Sequence, residues 1–125
     1  MAVTINSSVL ASTRAFTEQR HGQVVELIRR LVEIESPSRD ARGSQAVNQL
    51  LESESRKISS VTSVERIATP DCGDHLLVRA FDNRENGAQS TLLLGHTDTV
   101  HNRGSLRTYK EGDRLYGPGV FDMKA

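Results

Sequence analysis

The 125-residue chain has no excess of charge, one cysteine and no long apolar run, and each shortage removes a class of function. Sixteen Lys and Arg balance sixteen Asp and Glu, so no basic or acidic field exists to attract nucleic acid or an anionic membrane surface. No apolar stretch reaches the roughly 18 residues that a membrane-crossing helix needs. Residues 1–22 are polar and lack the apolar centre of a secretory signal, which points to a cytoplasmic protein without a membrane partner. A lone Cys72 excludes an intrachain disulfide framework and suits a reducing compartment; beside Pro70, Asp71 and Gly73 it reads as a loop thiol. What remains is the composition of an ordinary globular protein, 36% apolar and 26% charged, with length for one domain at most.

Residues 1–16 are Ser/Thr-rich with little patterning and read as a flexible lead, leaving residues 17–125 as the folded part. From about Thr17, Val24, Leu27, Ile28, Leu31 and Ile34 recur at helical spacing, with Glu26, Arg29, Arg30 and Glu33 opposite. Ser36-Pro37 ends this helix, because a proline disfavours helical geometry in the residue before it. His21 reads as an exposed histidine at the helix start. After a polar loop, a second helix is expected from about Ser44 to Ile58, with Val47, Leu50, Leu51 and Ile58 on its apolar side. Val61–Ile67 and His75–Phe81 read as strands around the turn-forming Thr69–Asp74, and Asn86-Gly87 signals a hairpin. Consecutive Leu92, Leu93 and Leu94 predict a third strand, Thr91–Gly95, buried on both faces. Leu106–Lys110 and Arg114–Tyr116 flank Glu111-Gly112-Asp113 as a short exposed hairpin. Two helices followed by several strands predict an α/β domain with helices packed on a mixed β-sheet.

The chemistry-bearing residues gather in Thr91–Ala125. A strand ending in Gly95-His96-Thr97-Asp98 delivers polar side chains at the carboxyl edge of a sheet, where open α/β folds hold ligands. A period of two puts His96 and Asp98 on one side. His96 can then give one ring nitrogen to a metal and donate the other N–H to Asp98, which fixes the tautomer and strengthens the ligand. The H-x-D pattern alone is weak: four histidines and seven aspartates produce it by chance in roughly one such chain in five. The second element, Gly117–Lys124, is a glycine-punctuated loop carrying Asp122. That carboxylate has two readings, a helix N-cap or surface acid without catalytic meaning, and a metal ligand paired with histidine. His75 reads as a strand-edge residue, and His101 as a surface-loop residue placed where it can also line a substrate mouth. Arg103 and Arg107 are candidates to meet a substrate carboxylate. Phe81, Phe121, Tyr109 and Tyr116 are assigned to packing.

Gly95-His96-Thr97-Asp98-Thr99-Val100 followed by Gly117-Pro118-Gly119-Val120-Phe121-Asp122-Met123-Lys124 resembles the M20 family of metallopeptidases, the glutamate carboxypeptidase-like carboxypeptidases and aminoacylases. Arg103–Leu106, Gly112–Gly117 and the upstream Leu31–Ser38 match in kind and order, so the resemblance covers roughly Val24–Ala125. It implies the N-terminal part of a zinc-peptidase-like catalytic domain. It implies His96 as a ligand of one metal in a two-metal centre, Asp122 as the carboxylate bridging both, and Asp98 as the active-site acid that holds the histidine. The implied cofactors are two divalent ions, Zn2+ foremost, with Co2+ and Mn2+ open to the same donors. The implied reaction is hydrolysis of an amide in a small peptide or N-acyl amino acid, through water activated between two metals. The desuccinylase and deacetylase branches tend to show a tryptophan and a Pro-Phe pair between the motifs, and this chain has neither. Release of a C-terminal amino acid such as glutamate is therefore expected, with N-acyl amino acid deacylation as the alternative.

The chain departs from the family pattern after Asp122. The family's adjacent Glu-Glu pair, which supplies a general base and a ligand, its further acidic ligand and its distal histidine all follow the Asp-Met-Lys segment. One histidine and one carboxylate fall short of the three or four protein ligands of zinc sites. The expectation is thus an N-terminal portion of a longer enzyme, inactive alone. The reading from a different class is a truncated, non-catalytic homologue acting as an interaction module. The family's inserted smaller domain often dimerises, which implies a homodimer for the whole protein.

Overall fold

The computed structural model describes residues 6–70, 72–81 and 89–124. Helix α1 spans Ser7–Glu33, so it begins well before the periodicity that predicts it at about Thr17, and the expected lead is helical from Ser7. The reason is that its first turns are held by local bonds instead of burial. Asn6 caps the helix by accepting the Ser8 N–H at 2.9 Å, Arg14 pairs with Glu18 at 2.7 Å, and the Arg20 guanidinium lies 4.4 Å from the centre of the Phe16 ring. Residues 7–24 are exposed, which is why no apolar stripe marks them. His21 accordingly sits inside α1, exposed. Only the last turns bury a face, through Leu31 and Val32.

Helix α2 spans Ala41–Ser55 and starts earlier than expected, because Asp40 caps it: its Oδ1 accepts the Gly43 N–H at 3.0 Å. Among the described residues Leu31, Val32 and Val47 form the buried apolar core, and Arg30 reaches Glu54 at 2.8 Å to tie the helices together. α2 also packs on a two-stranded antiparallel sheet, β1 (Val61–Ile67) with β2 (His75–Ala80), in register from Val64 opposite Val78 to Ile67 opposite His75. Buried Asn48 donates through Nδ2 to the Asp74 carbonyl at 2.6 Å and fixes the entry to β2. Strands β3 (Tyr109–Glu111) and β4 (Arg114–Tyr116) form the expected hairpin, with Gly112 at φ +57° in the turn and the rings of Tyr109 and Tyr116 stacked at 4.7 Å. The Asn86-Gly87 hairpin signal lies outside the described residues.

The fold is mixed α and β, but its sheets are two separate antiparallel pairs among the described residues instead of one mixed sheet. The larger correction is Thr91–Gly95. These residues form no strand, and Leu92, Leu93 and Leu94 are 70%, 89% and 83% exposed. A strand buried on both faces requires ladder partners and covering layers, and the described residues place neither beside it. The one parallel pairing among them is a bridge between Pro37 and Thr99, and it is this bridge that positions the site.

Candidate metal centre

Both chemistry-bearing segments are irregular, so something else must hold them in register. The α1–α2 connection, residues 34–40, does so. Thr99 N–H donates to the Ser36 carbonyl and Ser38 N–H donates to the Thr99 carbonyl, each at 2.9 Å. The buried Ser36 hydroxyl donates to the Thr97 carbonyl at 2.6 Å. On the other segment, Lys124 N–H closes onto the Gly119 carbonyl at 2.8 Å, and the buried Lys124 ammonium donates to the Ile34 carbonyl at 2.6 Å. Gly117 has no room for a side chain, since a Cβ there would lie 2.5 Å from Val32 Cγ1; the loop therefore rests directly on α1. Two outer ties complete the frame: Glu35 Oε1 accepts the Gly104 N–H at 2.6 Å, and Arg103 binds Asp40 at 2.5 Å.

This frame brings His96, Asp98 and Asp122 together. His96 Nε2 lies 3.0 Å from Asp122 Oδ1. Its Nδ1 lies 3.1 Å from the Asp98 backbone carbonyl and 3.3 Å from Asp98 Oδ1. The expected proximity of His96 and Asp98 is present, with the main-chain oxygen as the nearer acceptor. Asp98 Oδ2 in turn accepts the Ser38 hydroxyl at 2.5 Å. The His96 pKa is raised above its ordinary 6.5, first by the Asp98 carbonyl and next by the Asp122 carboxylate, both of which stabilise the imidazolium. Asp98 is lowered below 3.8, chiefly by the Ser38 hydroxyl. Lys124 is lowered from 10.5 by burial, against the pull of Glu35 and Asp98.

A histidine with an acceptor at each nitrogen either carries two protons or exchanges the Nε2 proton for a cation. The donors suit one: zinc bonds of about 2.0–2.2 Å at a tetrahedral angle span roughly 3.4 Å, a few tenths more than the observed 3.0 Å. Asp98 faces the Nδ1 edge and is not a third donor. Among the described residues no three His, Cys, Asp or Glu side chains converge as a metal would require, so His96 and Asp122 are a partial donor set. A cleft of about 240 Å³ opens beside them, lined by Ser38, His101 and Phe121 as well as the three acidic and imidazole groups. His101 thus lines the cleft, whereas Arg103 is engaged by Asp40 and His75 is exposed at the start of β2. Cys72 is exposed and free. Sequence reasoning passed over Ser36, Ser38 and Lys124 as individual residues; their only signal was membership of the stretches that carry the family resemblance.

No family model matches the chain. Carboxypeptidase G2 of Pseudomonas sp. (strain RS-16) is 32% identical over 104 residues, 81% of this chain and 24% of that protein. A protein described as the succinyl-diaminopimelate desuccinylase DapE, from two strains of Mycobacterium tuberculosis, is 32% identical over 105 residues, 83% of this chain and 26% of its own length. Over most of its length the chain is therefore homologous to peptidase-type hydrolases of the M20 family, as its two motifs imply. It spans about a quarter of the length of these curated relatives.

Proposed function

We propose that the chain supplies part of a divalent-metal centre in an amide hydrolase that releases a C-terminal amino acid such as glutamate from a small peptide. The observation that carries this reading is His96 held between Asp98 and Asp122, with Nε2 and a carboxylate oxygen 3.0 Å apart at the mouth of a cleft. His96 and Asp122 would hold the metal, Zn2+ foremost. Bound at such a centre, divalent ions polarise a scissile carbonyl and make water a nucleophile near neutral pH. Asp98 keeps a proton on Nδ1, so that Nε2 is the free donor. Asp122 offers a second carboxylate oxygen for a second ion. His101 and Phe121 border the space a substrate would enter.

A second reading, deacylation of an N-acyl amino acid, draws on the 32% identity to a desuccinylase. Balanced charge argues against a nucleic-acid or membrane partner, and we infer a cytoplasmic, homodimeric enzyme. The non-catalytic reading, an interaction module, draws on the exposed Leu92–Leu94, which a partner surface would cover.

The test is a calorimetric Zn2+ titration of the 125-residue protein and its His96→Ala variant, beside hydrolysis of N-acyl-glutamate substrates. Weak zinc binding that vanishes with His96, and no turnover, is the expected result. Tight stoichiometric binding with turnover would refute the partial site, and binding indifferent to His96→Ala would refute the ligand assignment.

A further inference from the structure

We propose that Ser38 is a positioning residue for His96. Its hydroxyl pins one oxygen of Asp98, so that the other oxygen and the Asp98 carbonyl keep the proton on Nδ1 and turn Nε2 toward Asp122. The consequence for metal affinity rests on the ligand reading above; the orienting role does not.

The geometry is specific in three respects. The Ser38 hydroxyl has two acceptors in range, Asp98 Oδ2 at 2.5 Å and the Thr99 carbonyl at 3.4 Å, and the shorter contact to a carboxylate is the stronger bond. The hydroxyl is aimed by the main chain, since the Ser38 N–H is bonded to the Thr99 carbonyl and Ser36 anchors the same ladder from a buried position. The Asp98 side chain is about half exposed and has no other side-chain donor than Ser38 and His96 among the described residues, so removing the hydroxyl frees it to rotate. Rotation would take Oδ1 away from Nδ1 and leave only the carbonyl to bias the tautomer. The ladder itself uses no side-chain atom of Ser38 and survives its truncation.

The experiment compares Ser38→Ala with Ser38→Thr, which restores the hydroxyl. In metal-free protein at alkaline pH, imidazole nitrogen shifts read the His96 tautomer directly. The Nδ1–H fraction should be highest in the parent and in Ser38→Thr, and should fall in Ser38→Ala, where the Asp122 carboxylate 3.0 Å from Nε2 competes for the proton. Zinc affinity should fall roughly ten-fold in Ser38→Ala, the lower end for partners that orient a ligand, and return to within about two-fold in Ser38→Thr. An unchanged tautomer ratio in Ser38→Ala, or a threonine variant no better than alanine, overturns the proposal. If the parent binds no zinc while the tautomer still shifts, the ligand reading fails and the role of Ser38 stands. If zinc binding depends on His96 while Ser38→Ala changes neither readout, Ser38 alone is refuted. Amide shifts across α1 and α2 establish that each variant is folded. Should Ser38→Ala not fold, the parent decides: a protected Ser38 hydroxyl proton close to Asp98 supports the bond, and a freely exchanging one overturns it.

Discussion

The joint between α1 and α2 makes a prediction in which one substitution has opposite signs at two sites. Gly22 and Gly43 both lie in helices, and Gly→Ala in a helix interior gains about 1 kcal/mol of propensity. At Gly22 nothing lies within 4 Å of the added methyl, so Gly22→Ala should stabilise by about 1 kcal/mol. At Gly43 the same methyl would sit 2.6 Å from the Glu35 carbonyl oxygen and 2.7 Å from Ser36 Cα. Both are backbone atoms and cannot swing aside as a flexible side chain can. Overpacking that forces such shifts costs about 1–3 kcal/mol, which outweighs the propensity gain and leaves Gly43→Ala roughly 1 kcal/mol destabilised. Urea unfolding followed by circular dichroism reads both values, and a midpoint separation of several degrees between the variants is expected on heating. The displaced Glu35 and Ser36 hold Gly104, Thr97 and Thr99, so Gly43→Ala should also shift the His96 resonances while Gly22→Ala leaves them in place. A Gly43→Ala protein stabilised as much as Gly22→Ala would refute the close seating of α2 on the connection.

Lys124→Met keeps the aliphatic volume but leaves the Ile34 carbonyl without its donor, and should cost about 1 kcal/mol while weakening zinc binding through a displaced Asp122; a variant with parental zinc affinity would show that Lys124 does not hold the loop. For Asp40 the folded-state pKa lies below the ordinary 3.8, first because of the Gly43 N–H and then because of Arg103. A depressed carboxylate contributes stability that is present above 3.8 and is lost as pH falls through the lower folded value. The Gly43 amide should therefore titrate only below pH 3.8, and a midpoint above it would contradict the cap. His96 has the opposite sign: its raised pKa means that protons compete with zinc from above pH 6.5 downward, so affinity should already be falling there on acidification.

Which parts of this molecule could be read from sequence follows from where each is stabilised. β1 is legible because Val61–Ile67 is rich in β-branched residues and is bounded by turn chemistry, and the β3–β4 hairpin because Gly112 supplies a left-handed turn. The second half of α1 shows its periodicity because Leu31 and Val32 are buried; the first half has no periodicity to show, since capping and i,i+4 pairs leave no apolar signature. Leu92–Leu94 predicted a buried strand that the structure does not form, because burial belongs to the neighbours and not to the run itself. The proximity of His96 to Asp98 and Asp122 was legible through two motifs in order. What holds them was not. Ser36 and Ser38 are serines in a polar loop, and local pattern cannot distinguish a solvated hydroxyl from one bonded to a residue sixty positions away.

That difference changes where the site is vulnerable. A centre hung from the end of a sheet strand would inherit its precision from ladder hydrogen bonds. Here the His96 segment and the Asp122 loop are both registered on the backbone of residues 34–40, and that backbone is held by the close approach of Gly43. Val32 is fully buried and touches the position where Gly117 admits no side chain, so it braces the Asp122 loop from below. Val32→Ala removes two methyl groups there and leaves a cavity, costing about 2–3 kcal/mol. Because the same contact seats the loop, the loss of stability and the loss of the His96–Asp122 contact should appear together. A Val32→Ala protein with the expected destabilisation but an unaltered His96 environment would show that the loop is held independently of the helix.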